Sequence, residues 1–305
     1  MRAPITYSLN SRVYENVSPA DPEVSLKGKN IIVTGANTSL GFEAAVKFAA
    51  LGTSEVILGI RDITKSDHAK SVIEQRTGKK DQVKYASSLD RLVLNASVYK
   101  VAYEESRYGW EETLQVNVLS TAPIGLLLLQ KMEASKTGNT LPVLEIVSSG
   151  NHEDATISAE CRHADNLLQF YNTSNGYNAK EQYWVSKLFV MYVMQTLASL
   201  AKSSEAASGK PDVLVTVSDL SRGYNSFAMN IAKAVISALF LRNTEERSRT
   251  LISSVTLGED AHGRLAPLVS RREGEELRRR IWSEIIEGLK KDLPEVADIV
   301  NSLEV

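Results

Sequence analysis

The segment from Asn30 to Gly52 constrains the fold of this chain more than any other. Asn30-Ile31-Ile32-Val33 is an apolar run with the character of a buried strand. Thr34-Gly35-Ala36-Asn37-Thr38-Ser39-Leu40-Gly41 follows as a glycine-containing turn. Phe42 to Leu51 carries apolar residues at helical spacing and stops at Gly52, which suits the position just past a helix end. Strand, glycine turn and helix in that order let the main chain approach a pyrophosphate and aim a helix N-terminus at its charge. The plainer alternative is a tight connection between a strand and a helix, with no ligand.

A second strand, Glu55 to Ile60, ends in Arg61-Asp62. This lies about 20 residues past Gly41, where an acidic residue would meet a ribose 2′-hydroxyl and an arginine a 2′-phosphate. The order Gly59-Ile60-Arg61 gives Arg61 the strand end and lets Asp62 begin the turn. That favours NADP over NAD, with Lys65 as a second cation; otherwise Arg61 and Asp62 are a surface ion pair. A helix from about Thr64 to Arg76 ends at Gly78.

Further along, Tyr183-Trp184-Val185-Ser186-Lys187 puts a phenol and an ammonium on one helix face. A free phenol, with a pKa of about 10, is a poor proton carrier at neutral pH. A lysine held beside it favours the phenolate. The spacing alone is also met by chance, as two surface side chains.

The glycine turn and the Tyr-x-x-x-Lys pair, in this order, resemble the short-chain dehydrogenase/reductase family, from about Lys27 to the C-terminus. The likeness is to the retinol-dehydrogenase-like branch found in fungal metabolite pathways. It implies a Rossmann-type, doubly wound parallel α/β sheet in a single domain at 27–305, preceded by a flexible extension at 1–26. By the same resemblance Ser149 would hydrogen-bond the substrate oxygen, Tyr183 would pass the proton, and Lys187 would hold the nicotinamide ribose. Asn117 would support a water-linked proton path at a helix bend. Ser148 is the alternative serine, and Ser148-Ser149-Gly150 is also a plain strand-end turn. Gly35, Ser39, Leu40, Gly41, Arg61, Lys65, Asn95, Tyr183 and Lys187 would contact the cofactor, NADP in preference to NAD.

The chain departs from the family pattern in four places. Ser39 replaces the middle glycine of the turn, which costs backbone freedom if its φ is positive. Ser97 stands where Asn95-Ala96 should be followed by glycine, and Arg222 precedes Gly223 where proline is usual. Asp81 to Ala86 has the look of a third strand and Leu89 to Ser97 of a fourth, with only Ser87-Ser88 between them. Adjacent parallel strands need a crossover of about a dozen residues or more. One strand–helix crossover is therefore missing by comparison with the family, and either poor stability or an altered sheet is expected.

The remaining elements follow the alternating pattern of such a sheet. Trp110 to about Lys136 is a long helix carrying Asn117, with Pro123 expected to bend it. Leu141 to Val147 is a strand, 151–180 a polar insertion that would shape the substrate pocket, Glu181 to Ala201 a helix and Asp212 to Val217 a strand. Asn243-Thr244-Glu245-Glu246 opens a helix with a capping pattern. An apolar stripe from Leu277 to Leu289 marks a C-terminal helix at about 274–291.

Of the 305 residues, 43% are hydrophobic and 24% charged, enough for one full core. A net charge of −2 argues against nucleic acid or an anionic membrane as partner. One cysteine, Cys161, rules out an intrachain disulfide, and the four histidines lack metal-ligand spacing, so no metal is expected. No membrane span or signal peptide is expected, which points to a cytoplasmic protein. The leading function is NADP-dependent interconversion of a carbonyl and an alcohol on a small, largely apolar metabolite, in a secondary-metabolite pathway. The alternatives are a degenerate, non-redox relative (scaffold, isomerase or cyclase) and an active reductase mis-spliced near Ser87-Ser88. The family implies a homodimer or homotetramer.

Overall fold

The structure is a computed structural model that describes residues 25–80, 88–134, 141–201, 211–219, 244–256 and 272–303. Its centre is a parallel five-stranded sheet: β1 (Asn30–Thr34), β2 (Glu55–Gly59), β3 (Arg91–Leu94), β4 (Val143–Ser148) and β5 (Leu214–Asp219). The spatial order is β2-β1-β3-β4-β5. Side chains alternate between the two faces, and both are covered. Ile31, Val33, Val56, Val93 and Val147 point into one apolar cluster. Leu92, Leu94, Leu144, Ile146 and Val215 point into the other.

Helices α1 (Ser39–Ala50), α2 (Ile63–Thr77) and α7 (Thr244–Ser254) cover the first face through Phe48, Ile73 and Leu251. The second face carries α3 (Glu112–Ala134), α6 (Ala179–Leu200), α8 (Arg272–Leu289) and α9 (Glu295–Leu303). Fully buried Leu126, Leu129, Phe189 and Ile285 are typical contributors to that layer. Each such side chain is worth about 1.5–3 kcal/mol of transfer from water. Between β4 and α6 the insertion folds into a 3₁₀ turn (Gly150–Asp154) and two short helices, α4 (Ala159–His163) and α5 (Leu167–Tyr171).

Several expectations change in detail. β3 lies directly beside β1, on the side away from β2, so α2 belongs to the connection that carries the chain past β1. Asp81 to Ala86, expected as a third strand, and Arg222-Gly223 lie outside the described residues. The described sheet pairs in register without that strand. In α3 the irregularity is not at Pro123 but just before it, as a π-helical turn at Gln115–Leu119. Proline has no N–H to return to the preceding turn, and the wider turn absorbs the mismatch upstream. The C-terminal helix runs Arg272–Leu289 and is followed by α9, which the sequence pattern did not reveal. Leu26, assigned to the N-terminal extension, is buried, and its N–H bonds the Leu51 carbonyl. No membrane span was expected, yet α3 has the length and hydropathy of one. Most of it is buried against the sheet and α6, as in a core helix.

Two ionisable side chains sit inside the sheet. Arg91 on β3 donates to the Val255, Asp90 and Leu141 carbonyls, tying the sheet to the end of α7. Burial lowers its pKa, against the pull of Asp90. Glu145 on β4 is fully buried and bonds Ser218 of β5, whose hydroxyl meets Ser254 of α7. Its second oxygen has no partner among the described residues. Desolvation raises its pKa from 4.5 to about 8, against the hydrogen bonds from Ser218 and Ser254.

A carboxyl whose pKa is raised by folding stabilises the protein below its unfolded pKa, and that stability is lost as pH rises towards the folded value. Wild-type stability should therefore fall relative to Glu145→Gln between about pH 4.5 and about 8, by up to about tenfold in the folding constant per pH unit. Urea melts at pH 5, 6, 7 and 8 measure this, and parallel curves for the two proteins would refute it.

Candidate active site

The carboxyl end of β1 builds a close-packed turn. The Thr34 hydroxyl accepts the N–H groups of Asn95 and Ala96, and the Asn95 side-chain amide donates to the Thr34 carbonyl. These bonds tie the ends of β1 and β3 together. Gly35 has φ 66°, and a Cβ there would lie 3.0 Å from the Ala96 Cα. A Cβ on Gly41 would lie 2.4 Å from the Asn95 amide nitrogen and 2.6 Å from the Gly35 carbonyl oxygen. Only glycine fits at 41. Ser39 sits at φ 50°, the one non-glycine with positive φ among the described residues. Serine thus holds the left-handed conformation that the family pattern gives to glycine. Leu40 packs against the α1 side of the core.

The start of α1 is prepared for negative charge. Thr38 at its N-cap makes no side-chain cap, and its first turn holds no acidic residue. By contrast Asp62, Ser158, Asn166 and Asn178 cap α2, α4, α5 and α6 with their side chains. Uncapped N–H groups at a helix start bind phosphate oxygens. Arg61 is exposed just past β2. The Asp62 carboxylate accepts the N–H groups of Thr64 and Lys65 and stands 3.9 Å from the Lys65 ammonium. It is committed to the helix start, which leaves the neighbouring cation to face any ligand at the β2 end.

The reactive groups gather at the ends of β3 and β4. Tyr183 is half-buried near the start of α6, and the Lys187 ammonium lies 5.6 Å from its ring centre. Lys187 is 2% exposed and donates to the Val147 carbonyl at 3.4 Å, which brings α6 over the end of β4. Ser148 ends that strand, and its buried hydroxyl has no partner among the described residues. Ser149 is buried and caps the following 3₁₀ turn, accepting the Asn151 N–H at 3.4 Å. Asn117 lies in the π-helical turn with every side-chain hydrogen bond used. Its amide donates to the Val98 carbonyl and to Ser186, while its oxygen accepts the Val98 N–H and the Ser97 hydroxyl. Ser186 in turn donates to the Tyr183 carbonyl at 2.7 Å. The structure therefore brings together Tyr183, Lys187, Asn117 and the β4 end with its two serines. It places Arg61 and Lys65 apart from them, beyond the end of β2.

Sequence reasoning passed over four residues that hold this arrangement. Thr34 and Ser186 lie within the glycine turn and the Tyr183–Lys187 stretch, but as common residue types they were given no role of their own. The buried His152 carries its hydrogen on Nδ1, donating to the Ser149 carbonyl at 2.7 Å, and so fixes the turn that presents Ser149. Its position three residues after the serine was the available signal. Glu111 is fully buried, and its carboxylate accepts from the Thr113 and Leu114 N–H groups, the Gln182 amide and the Tyr177 hydroxyl. Burial, and then Glu111, push the Tyr177 pKa up to about 12. A left-handed residue with a Cβ costs about 1–2 kcal/mol, partly offset in glycine by chain entropy. Ser39→Gly should then stabilise the protein by about 0.5–1 kcal/mol, read as a higher urea midpoint at unchanged slope. A lower midpoint would contradict the strain.

No protein-family model matches the chain. Individual relatives do. The short-chain dehydrogenase/reductase ffsI of Aspergillus flavipes is 36% identical, over 93% of this chain and 92% of its own. The short-chain dehydrogenase/reductase phmF of Phaeosphaeria nodorum is 33% identical, over 94% of each chain. The first alignment has 315 positions, more than the 305 residues of this chain, so that relative carries residues with no counterpart here. Among solved structures, a short-chain dehydrogenase from Shigella flexneri shares the fold, with a TM-score of 0.52 and 20% identity over 78% of this chain and 89% of its own. A parallel sheet with a glycine turn at β1, a tyrosine–lysine pair over β4 and full-length relatives of one kind lead to one conclusion: the chain belongs to the short-chain dehydrogenase/reductase family and is an oxidoreductase.

Proposed function

We propose that this protein interconverts a carbonyl and an alcohol on a small, largely apolar metabolite, using NADP in preference to NAD. The observation that carries the reading is Lys187: a buried ammonium held over the ring of a half-exposed phenol at the carboxyl end of β4. A cation in that position favours negative charge on the phenol oxygen, and so suits Tyr183 to give a proton to a forming alkoxide or take one from an alcohol. Ser149, with Ser148 as the second candidate, offers a hydroxyl donor to the substrate oxygen. Asn117 holds the Val98 segment against α6 and supports the proton path from the helix turn. When bound, a nicotinamide cofactor supplies or accepts the hydride.

The residues of the β1 turn fit such a cofactor. Gly35 and Gly41 let the main chain come close, and the α1 start offers uncapped N–H groups with no competing carboxylate. Ser39, Leu40 and Asn95 line the same turn. Arg61, with Lys65 beside it, supports a 2′-phosphate, because Asp62 is turned to the helix start rather than to a ribose hydroxyl. A place in a secondary-metabolite pathway is part of the same reading; the relatives ffsI and phmF are fungal proteins.

Two measurements test this. Tyr183→Phe should lower turnover of a ketone panel by about 10²–10⁴-fold while NADPH still binds, as followed by fluorescence transfer to the cofactor. Absence of any transfer from the wild type at saturating NADPH would end the redox reading in favour of a non-redox relative. Arg61→Ala should weaken NADPH by about 10–100-fold and leave NADH within about twofold, the worth of one charge-assisted contact. Equal losses for both cofactors would remove the preference for NADP.

A further inference from the structure

Tyr99 lies on the segment that leaves β3 and packs edge-to-face on Tyr183, with ring centres 5.4 Å apart and planes at 79°. This is a favourable aromatic geometry. Yet the contact leaves the Tyr99 residue 51% exposed, and Val101 beyond it is 78% exposed. Exposure of an aromatic side chain in direct contact with the reactive phenol places it where a bound substrate would meet it.

The ring stands on a fixed base. Val98 before it is held through both its N–H and its carbonyl by the Asn117 side chain, at 2.8 and 3.0 Å. Lys100 after it gives its carbonyl to the Tyr177 hydroxyl at 3.1 Å, and its ammonium is paired with Glu104 and Glu112. The two hydrogen bonds from Asn117 and the one from Tyr177 arrive from separate elements, α3 and the insertion. Tyr177 itself meets Tyr103 edge-to-face, with ring centres 5.9 Å apart. A tyrosine whose neighbours are pinned on both sides loses little freedom when a ligand covers it.

We propose that Tyr99 is a specificity-determining platform: the planar, conjugated ring of an aryl or otherwise unsaturated ketone, or of the matching alcohol, lies against it and brings its oxygen to Tyr183. The proposal rests on the carbonyl–alcohol reading of the Tyr183 site and names the substrate class for it. A flat ring matches the flat open surface of Tyr99 and gains aromatic contact that a flexible alkyl chain of equal area lacks. Tyr99 takes no part in proton transfer. Its removal acts on KM and binding for ring substrates and leaves kcat at saturation in place.

The test uses the full-length protein with 2-acetylnaphthalene and 2-decanone as the ring and chain probes. Binding is read by calorimetry in saturating NADP, and turnover by NADPH oxidation. Tyr99→Ala should weaken 2-acetylnaphthalene by about tenfold, seen in Kd and KM with kcat within about twofold, and 2-decanone by less than about threefold. Tyr99→Phe, which keeps the ring, should match the wild type, and similar melting temperatures confirm that the variants fold. Equal effects on the two probes, no effect on either, or failure of the wild type to bind the naphthyl ketone would each overturn the platform. Binding that depends on Tyr99 without turnover would instead uphold the platform and remove the redox reading, so the two failures are told apart.

Discussion

A buried carboxylate, Glu111, is the constraint on which the catalytic half of this protein depends. Burying a carboxyl group without hydrogen-bond partners is costly, so the donors it meets fix the elements that carry them. Two come from the first turn of α3, which carries Asn117; one from Gln182, the residue before Tyr183; and one from Tyr177 in the insertion. The Glu111 N–H is in turn held by Asn172 of the same insertion, at 2.7 Å. A single carboxylate thereby sets the relative positions of the helix with the asparagine, the helix with the tyrosine–lysine pair and the loop that flanks them. The Tyr99 platform depends on it as well, since the Tyr177 hydroxyl divides its bonding between Glu111 and the Lys100 carbonyl.

The nucleotide half is organised by close approach rather than by charge. Thr34, Asn95 and Gly41 meet where β1, β3 and α1 converge, with no room for another atom at Gly41. Ser39 shows how far the family pattern can drift while this geometry is kept. The side chain differs, but the backbone adopts the left-handed conformation that the turn requires. The two halves join through Asn117, which grips the segment following the Asn95 turn and reaches α6 through Ser186. Proton-transfer groups and nucleotide turn are in this way parts of one hydrogen-bonded assembly.

Much of this was legible in the sequence because it depends on local pattern. The β1 turn, the α1 helix and its end at Gly52, the Gly78 helix stop and the Tyr183–Lys187 face are all short-range features. Placement of β3 was not legible. The residues between Gly78 and Arg91 looked too few for a strand, a crossover and another strand. The described sheet needs only the passage from β2 past β1, for which α2 serves. The bend in α3 was expected at Pro123 from its missing donor, but the turn that relaxes it lies ahead of the proline. Nothing in the local sequence marks Glu145 or Glu111 as buried, since a buried acid and an exposed one look alike over a few residues.

The sequence by itself determined which chemistry was available: an alternating α/β chain, a glycine turn for a nucleotide, and a phenol and an ammonium one helical turn apart. Those follow from backbone preferences and helical periodicity, which act over a few residues. Only the tertiary structure decided that Lys187 is held against the end of β4 and that Glu111 and Asn117 lock the site together. Those facts rest on contacts between residues far apart in the chain, where burial fixes which polar groups must find each other.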